Sequence, residues 1–291
     1  MLPAQQASLV SSFFPPATVT KVIARPVVAG GAHPVVVFTP GYTTTFTDYT
    51  FLMEDLARRG YVVASVDHTY EPTIVEFPDG RLIGSAVGSH FGNTWRLDDD
   101  TLSVVIATRQ ADLSFLVGEL DRLNATSGSP FGGRLDPARI GIMGHSLGGV
   151  AALSALQQDS RFKAAVLLDG AIADESVMPT DSPTLILAMG RARWEENECG
   201  LWNNLAGPHL AVNLRGDEHL TASDAVWLAK GAIQTGTMGP ERTISAIRDY
   251  VGAFLDANLR GKPVDPLLTG PSSKYPDAVV ITEDQQLCRQ P

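Results

Sequence analysis

The chain has 291 residues, of which 44 % are hydrophobic and 19 % charged, and it carries a formal net charge of −10. That length buries a sizeable core in one large α/β domain or two small ones. The acidic balance excludes a nucleic-acid binder built on a basic face, and no apolar run approaches the roughly 20 residues of a membrane span, so no stable membrane insertion is expected.

The first residues, MLPAQQASLVSSFFPP, show no basic region followed by an apolar stretch and are not read as an intact signal peptide. TVTKVIAR (18–25) reads as an early strand. HPVVVFTP (33–40), β-branched and bounded by prolines, reads as a buried strand. DYTFLMEDLARRG (48–60) has apolar residues at helical spacing and stops at a glycine. YVVASVDH (61–68) is the next strand. Residues 98–124 form a long amphipathic helix that opens on three aspartates near its positive end. Strands then fall at 139–143, 162–170, 183–190 and 209–216, with a helix at 147–157 and closing helices near 221–233 and 240–260. This alternation predicts a mainly parallel central sheet flanked by helices, in one domain. Its core is expected at 17–262, with 263–291 as an extended C-terminal tail. The stretches 85–100 and 190–204 read as lid-like loop inserts.

The chemistry concentrates at 138–156, ARIGIMGHSLGGVAALSAL. Gly144-His145-Ser146-Leu147-Gly148 stands between a strand and a helix, and so fits the G-x-S-x-G nucleophile elbow. The turn is so sharp that a side chain at either flanking glycine would collide with its neighbours. Serine needs a base, and the base an orienting acid. In this fold the order along the chain is Ser, acid, His. His209 and His219 alone follow the serine, and His219 lies at the carboxyl end of its strand, where reacting groups gather. Asp169, which closes AAVLLD, is the favoured acid over Asp174 and Asp181. Leu147 and Tyr42 are the expected backbone donors of an oxyanion hole. The expected pocket comprises His68, Tyr70, Phe91, Trp95, His145, Trp194 and Trp202. No metal and no cofactor is expected. Cys199 and Cys288 are too few for a metal site and allow one disulfide, which would favour an oxidising, secreted location.

GHSLGG, LLDG, LRGDEHLTASD and LARRGYVVASVDH resemble the plasma-type platelet-activating-factor acetylhydrolase family of α/β-hydrolases over residues 35 to 260. The resemblance implies a triad of Ser146, Asp169 and His219, with Leu147 and Tyr42 as oxyanion donors. It also implies a serine esterase that cleaves short acyl groups from lipid-like or apolar alcohols. The oxyanion loop departs from that family, reading Pro-Gly-Tyr where His-Gly is common. PGYTTTFTDYTFLMEDLARRGYVVASVDH is similar to cutinase-like bacterial polyester hydrolases. That branch usually has Trp before its nucleophile and its acid one strand later, where this chain has His145 and the stretch GRARW. Polyester, carboxylesterase, thioesterase and lactonase activities share the same elbow. A binding module without catalysis on a hydrolase scaffold is the reading from another class.

Overall fold

The computed structural model describes residues 30–77, 79–86, 97, 99–170, 179–190, 196–229 and 233–283. Strand β1 (His33–Thr39) leads through a one-turn 3-10 helix (Phe46–Tyr49) into helix α1 (Thr50–Arg58) and strand β2 (Val62–Ser65). A short hairpin of β3 (Ile74–Glu76) and β4 (Leu82–Gly84) precedes the long helix α2 (Asp99–Ala125). Then come β5 (Leu135–His145), α3 (Leu147–Gln158), β6 (Phe162–Leu168), β7 (Thr184–Met189), α4 (Glu196–Asn204) and β8 (His209–Leu214). A second one-turn 3-10 helix (His219–Ala222), α5 (Ala225–Leu228), α6 (Pro240–Arg260) and β9 (Ala278–Thr282) complete the order.

Seven strands form one sheet in the order β2-β1-β5-β6-β7-β8-β9. All neighbours are parallel except β8 and β9. Alternate strand residues face opposite layers. Val36, Phe38, Met143, Val166 and Leu187 pack beneath α1 and α6, while Val35, Val37, Ile142, Leu167 and Ile186 pack beneath α2, α3 and α4. Both faces are therefore dry, which explains the near-continuous apolar runs of β1 and β5–β7. Each fully buried aliphatic side chain contributes about 1.5–3 kcal/mol.

The order also places the site. From β1 the chain moves outward through α1 to β2, whereas from β5 it moves the other way through α3 to β6. The connections after β1 and β5 thus diverge onto opposite faces. Such a divergence at the carboxyl ends of two neighbouring strands marks the place where open α/β sheets bind ligands.

Several expectations are revised. The stretch 190–204 is not all loop, since its second part is helix α4. Among the described residues, the first closing helix is represented by the end of the second 3-10 turn and the four residues of α5. The tail is not simply laid on the surface. Residues 278–282 pair antiparallel with β8 and extend the sheet. The expected strand at 18–25 lies outside the described residues.

Candidate active site

Ser146 stands between β5 and α3 with φ 54° and ψ −124°. This is the strained left-handed backbone that an elbow requires of a non-glycine residue. Its amide donates to Leu168 O at 2.9 Å, which fixes the turn to the neighbouring strand. Ser146 occupies the N-cap position of α3, yet its side chain does not cap the helix. The flanking glycines have a direct steric cause. A Cβ on Gly144 would lie 2.3 Å from the Gly148 carbonyl, and one on Gly148 would lie 2.2 Å from Thr39 O. The second contact also shows how closely the elbow approaches the loop after β1.

Asp169 follows β6 with φ 46°, and its side chain is buried. Its Oδ1 accepts from Met189 N–H at 2.9 Å. Its Oδ2 accepts from His219 Nδ1 at 2.5 Å. A carboxylate can only accept, so the imidazole proton sits on Nδ1 and Nε2 is left bare, as a base requires. The His219 side chain is 47 % exposed while that of Asp169 is 4 % exposed, so the imidazole is open to its surroundings and the carboxylate is not. Among the described residues, neither Ser146 Oγ nor His219 Nε2 is engaged in a hydrogen bond. Bonds of that kind often close only in the Michaelis complex.

The loop after β1 is pinned from inside. Arg109 on α2 is 1 % exposed. It donates to Pro40 O at 2.6 Å and to Gly41 O at 3.3 Å, and its Nη2 meets Glu71 at 2.6 Å. Thr44 Oγ1 also donates to Gly41 O, at 2.9 Å. Gly41 C=O and Tyr42 N–H belong to one trans peptide and point in opposite directions. Holding the carbonyl inward therefore aims the Tyr42 N–H outward. Among the described residues, neither Tyr42 N–H nor Leu147 N–H meets a protein acceptor.

The predicted pocket residues divide. His68 is buried, not a pocket wall. Its Nδ1 donates to Asp112 at 2.8 Å and its Nε2 accepts from Thr39 Oγ1 at 2.9 Å. Burial lowers its pKa, so the neutral form assumed by these directions is favoured. His145 is also buried and hydrogen-bonded at both ring nitrogens. Trp202 is buried too, and it packs edge-on against His209 at the amino end of β8, away from the elbow. Tyr70 is exposed. Phe91, Trp95 and Trp194 lie outside the described residues, as do Asp174 and Cys288. No group of three or more metal-ligating side chains occurs among the described residues.

Sequence reasoning missed Arg109, Glu71 and Tyr49. One signal was available. Arg109 falls on the same helical stripe as the buried Val105, Leu113, Val117 and Leu120, where a cation signals a specific partner.

A strained serine elbow, a buried acid, a histidine in the base tautomer and two open N–H groups define a serine-hydrolase arrangement on an α/β-hydrolase fold. A family model described as PET hydrolase-like matches residues 100–223. A ferulic acid esterase from Streptomyces cinnamoneus superposes with a TM-score of 0.75 at 35 % identity, covering 87 % of this chain and 75 % of that one. A probable 1-alkyl-2-acetylglycerophosphocholine esterase of Arthroderma benhamiae is 28 % identical over 273 residues, which is 85 % of this chain and 66 % of the relative. The platelet-activating factor acetylhydrolase of Cavia porcellus is 24 % identical over 50 % of this chain and 36 % of its own length. The match therefore spans 66 % or less of these two curated relatives. The chain belongs to the α/β-hydrolase esterases that include the Streptomyces ferulic acid esterase, and it is similar over shorter or more distant matches to acetylhydrolases and to the PET hydrolase-like model.

Proposed function

We propose that the protein is a serine esterase acting through an acyl-enzyme on Ser146. His219 Nε2 takes the proton of Ser146 Oγ as the oxygen attacks an ester carbonyl. Asp169 holds the ring in its tautomer and stabilises the imidazolium that forms. The N–H groups of Tyr42 and Leu147 receive the oxyanion. His219 then protonates the leaving alcohol, and water activated by the same nitrogen releases the acyl group. The observation that carries this reading is the Asp169–His219 bond, which leaves Nε2 free on a half-exposed ring that packs 4.6 Å from His145 of the serine elbow. No step requires a cofactor.

For the substrate we favour short acyl groups on apolar alcohols. Phe46, four residues beyond Tyr42, and Leu220, next to His219, are 42 % and 43 % exposed. Such apolar groups suit an ester that shuns water. The ferulic acid esterase and the PET hydrolase-like match support a second reading, an aromatic or polymeric ester.

A fluorophosphonate should label Ser146, as located by peptide mass spectrometry. p-Nitrophenyl esters should be cleaved fastest at acetyl to butyryl length, and faster than methyl ferulate. An unlabelled Ser146 removes the enzyme reading, and a preference for methyl ferulate moves the assignment to the second.

The proposal extends to a Cys199–Cys288 disulfide and an oxidising compartment. Alkylation without reduction should leave both thiols unmodified. Two alkylated cysteines would end that argument.

A further inference from the structure

His145 precedes the nucleophile, yet it does not face the substrate. Its Nε2 lies 3.0 Å from the backbone oxygen of His219. A carbonyl only accepts, so Nε2 carries the proton. Its Nδ1 lies 2.9 Å from Tyr49 Oη. The ring is 2 % exposed and packs against His219 at 4.6 Å and Tyr49 at 5.6 Å between centroids. Burial, and repulsion from any charge on His219, push its pKa down to about 3. The imidazole is therefore neutral and its Nδ1 is bare, so Tyr49 O–H donates to it. Tyr49 Oη in turn accepts the Gly41 N–H at 3.1 Å.

The direction of these three bonds is thus fixed: Gly41 N–H to Tyr49, Tyr49 O–H to His145 Nδ1, and His145 Nε2–H to His219 C=O, while Thr44 Oγ1, 3.0 Å from Tyr49 Oη, gives its own proton to Gly41 O. Two neighbouring histidines hold opposite tautomers. His219 is protonated at Nδ1, which leaves its base free, and His145 is protonated at Nε2, which anchors the backbone of that base. The far end of the chain is the residue whose peptide presents Tyr42 N–H.

We propose that Tyr49 and His145 form a one-way hydrogen-bond bridge that holds the loop of the general base and the oxyanion loop at a fixed separation, which makes both of them positioning residues for ester hydrolysis. The inference rests on the serine-esterase reading for its kinetic consequence, although the bridge itself does not. The bridge links the group that moves the proton to the group that receives the charge. Both must be in place when the tetrahedral intermediate forms, and small misplacements there are costly in rate. Farther from the reacting groups, Asp224 also joins the two segments, since its carboxylate accepts from Thr50 N–H at 2.7 Å and its own N–H donates to Asp48 O at 2.6 Å. At the site itself the ring of His219 is held by Asp169, and Gly41 by Arg109 and Thr44.

Tyr49→Phe deletes the bridging oxygen and keeps the ring that fills the core. The expected result is a kcat for p-nitrophenyl acetate lower by roughly 10- to 100-fold with KM within about twofold, since the loss falls on the transition state. His145→Asn should give a loss of the same kind. The double variant should lose no more than the worse single one, because either change cuts the same chain. Multiplicative losses, or a Tyr49→Phe kcat within twofold of wild type, would overturn the proposal. A second measurement needs no activity. The 15N shifts of the His145 ring in the wild-type protein should report a protonated Nε2 and a bare Nδ1, unchanged from pH 5 to pH 8. An Nδ1–H tautomer, or an imidazolium in that range, would overturn the bridge. Failure of the fluorophosphonate to label Ser146 would instead remove the esterase reading and leave the tautomer result standing.

Discussion

Asp169→Asn should lower kcat for p-nitrophenyl acetate by roughly 10³–10⁴-fold while leaving KM and folding close to wild type. The size follows from which atom faces which. Met189 N–H donates to Oδ1 of Asp169 and His219 Nδ1 donates to Oδ2. In the amide, the oxygen must keep the Met189 side, because a nitrogen there would set donor against donor. The amide nitrogen therefore faces His219 Nδ1. As a donor it drives the imidazole proton to Nε2, and the ring then presents an N–H where Ser146 needs a base. The geometry survives while the tautomer is wrong, and stabilisation of the imidazolium is lost as well. Asp181→Asn supplies the control, since Asp181 is exposed in the loop before β7. Its kcat should stay within twofold. If Asp169→Asn retains activity within about tenfold and Asp181→Asn does not, the acid has been assigned to the wrong strand end.

What was legible in the sequence was local or followed from chain order. The elbow announces itself because two glycines and a serine must sit together at one sharp turn. His219 and Asp169 follow from the order of strands in a parallel sheet, which decides which loops meet at the carboxyl edge. The missed groups depend on contacts between segments far apart in the chain. Arg109 is separated from Glu71 by 38 residues, and Tyr49 from His145 by 96. No local pattern encodes such pairs. The misplaced aromatic has a similar origin. Trp202 belongs to a segment that follows a carboxyl-edge loop, but α4 carries it back to the amino end of β8. Strand β9 was hidden by the Pro, Gly and Ser content of the tail, which is a weak guide where a short edge strand needs only one neighbour.

Asp217, two residues before His219, leads to the second large effect, on stability. It is 2 % exposed. One carboxyl oxygen accepts from Thr243 Oγ1, and the other is buried without a hydrogen-bond partner among the described residues. Burial, then the nearby charges of Glu218, Asp169 and Asp277, push its pKa up to about 7, well above the usual carboxylate range of about 4. The folded state thus binds this proton more tightly than the unfolded one. The resulting stability is fully present below about pH 4 and is lost as pH rises through about 7. Three pH units at 1.36 kcal/mol each set an upper bound of about 4 kcal/mol. Asp217→Asn removes the titration and keeps an oxygen for Thr243. Its own cost, an amide that must find an acceptor, does not vary with pH. The melting temperature of the variant relative to wild type should therefore climb between pH 5 and pH 8, by roughly 5–10 °C at 2–4 °C per kcal/mol. The difference between the two proteins cancels every titration they share. A difference that stays flat over that range would mean that Asp217 is already ionised in the folded protein, with a partner for its second oxygen supplied by water.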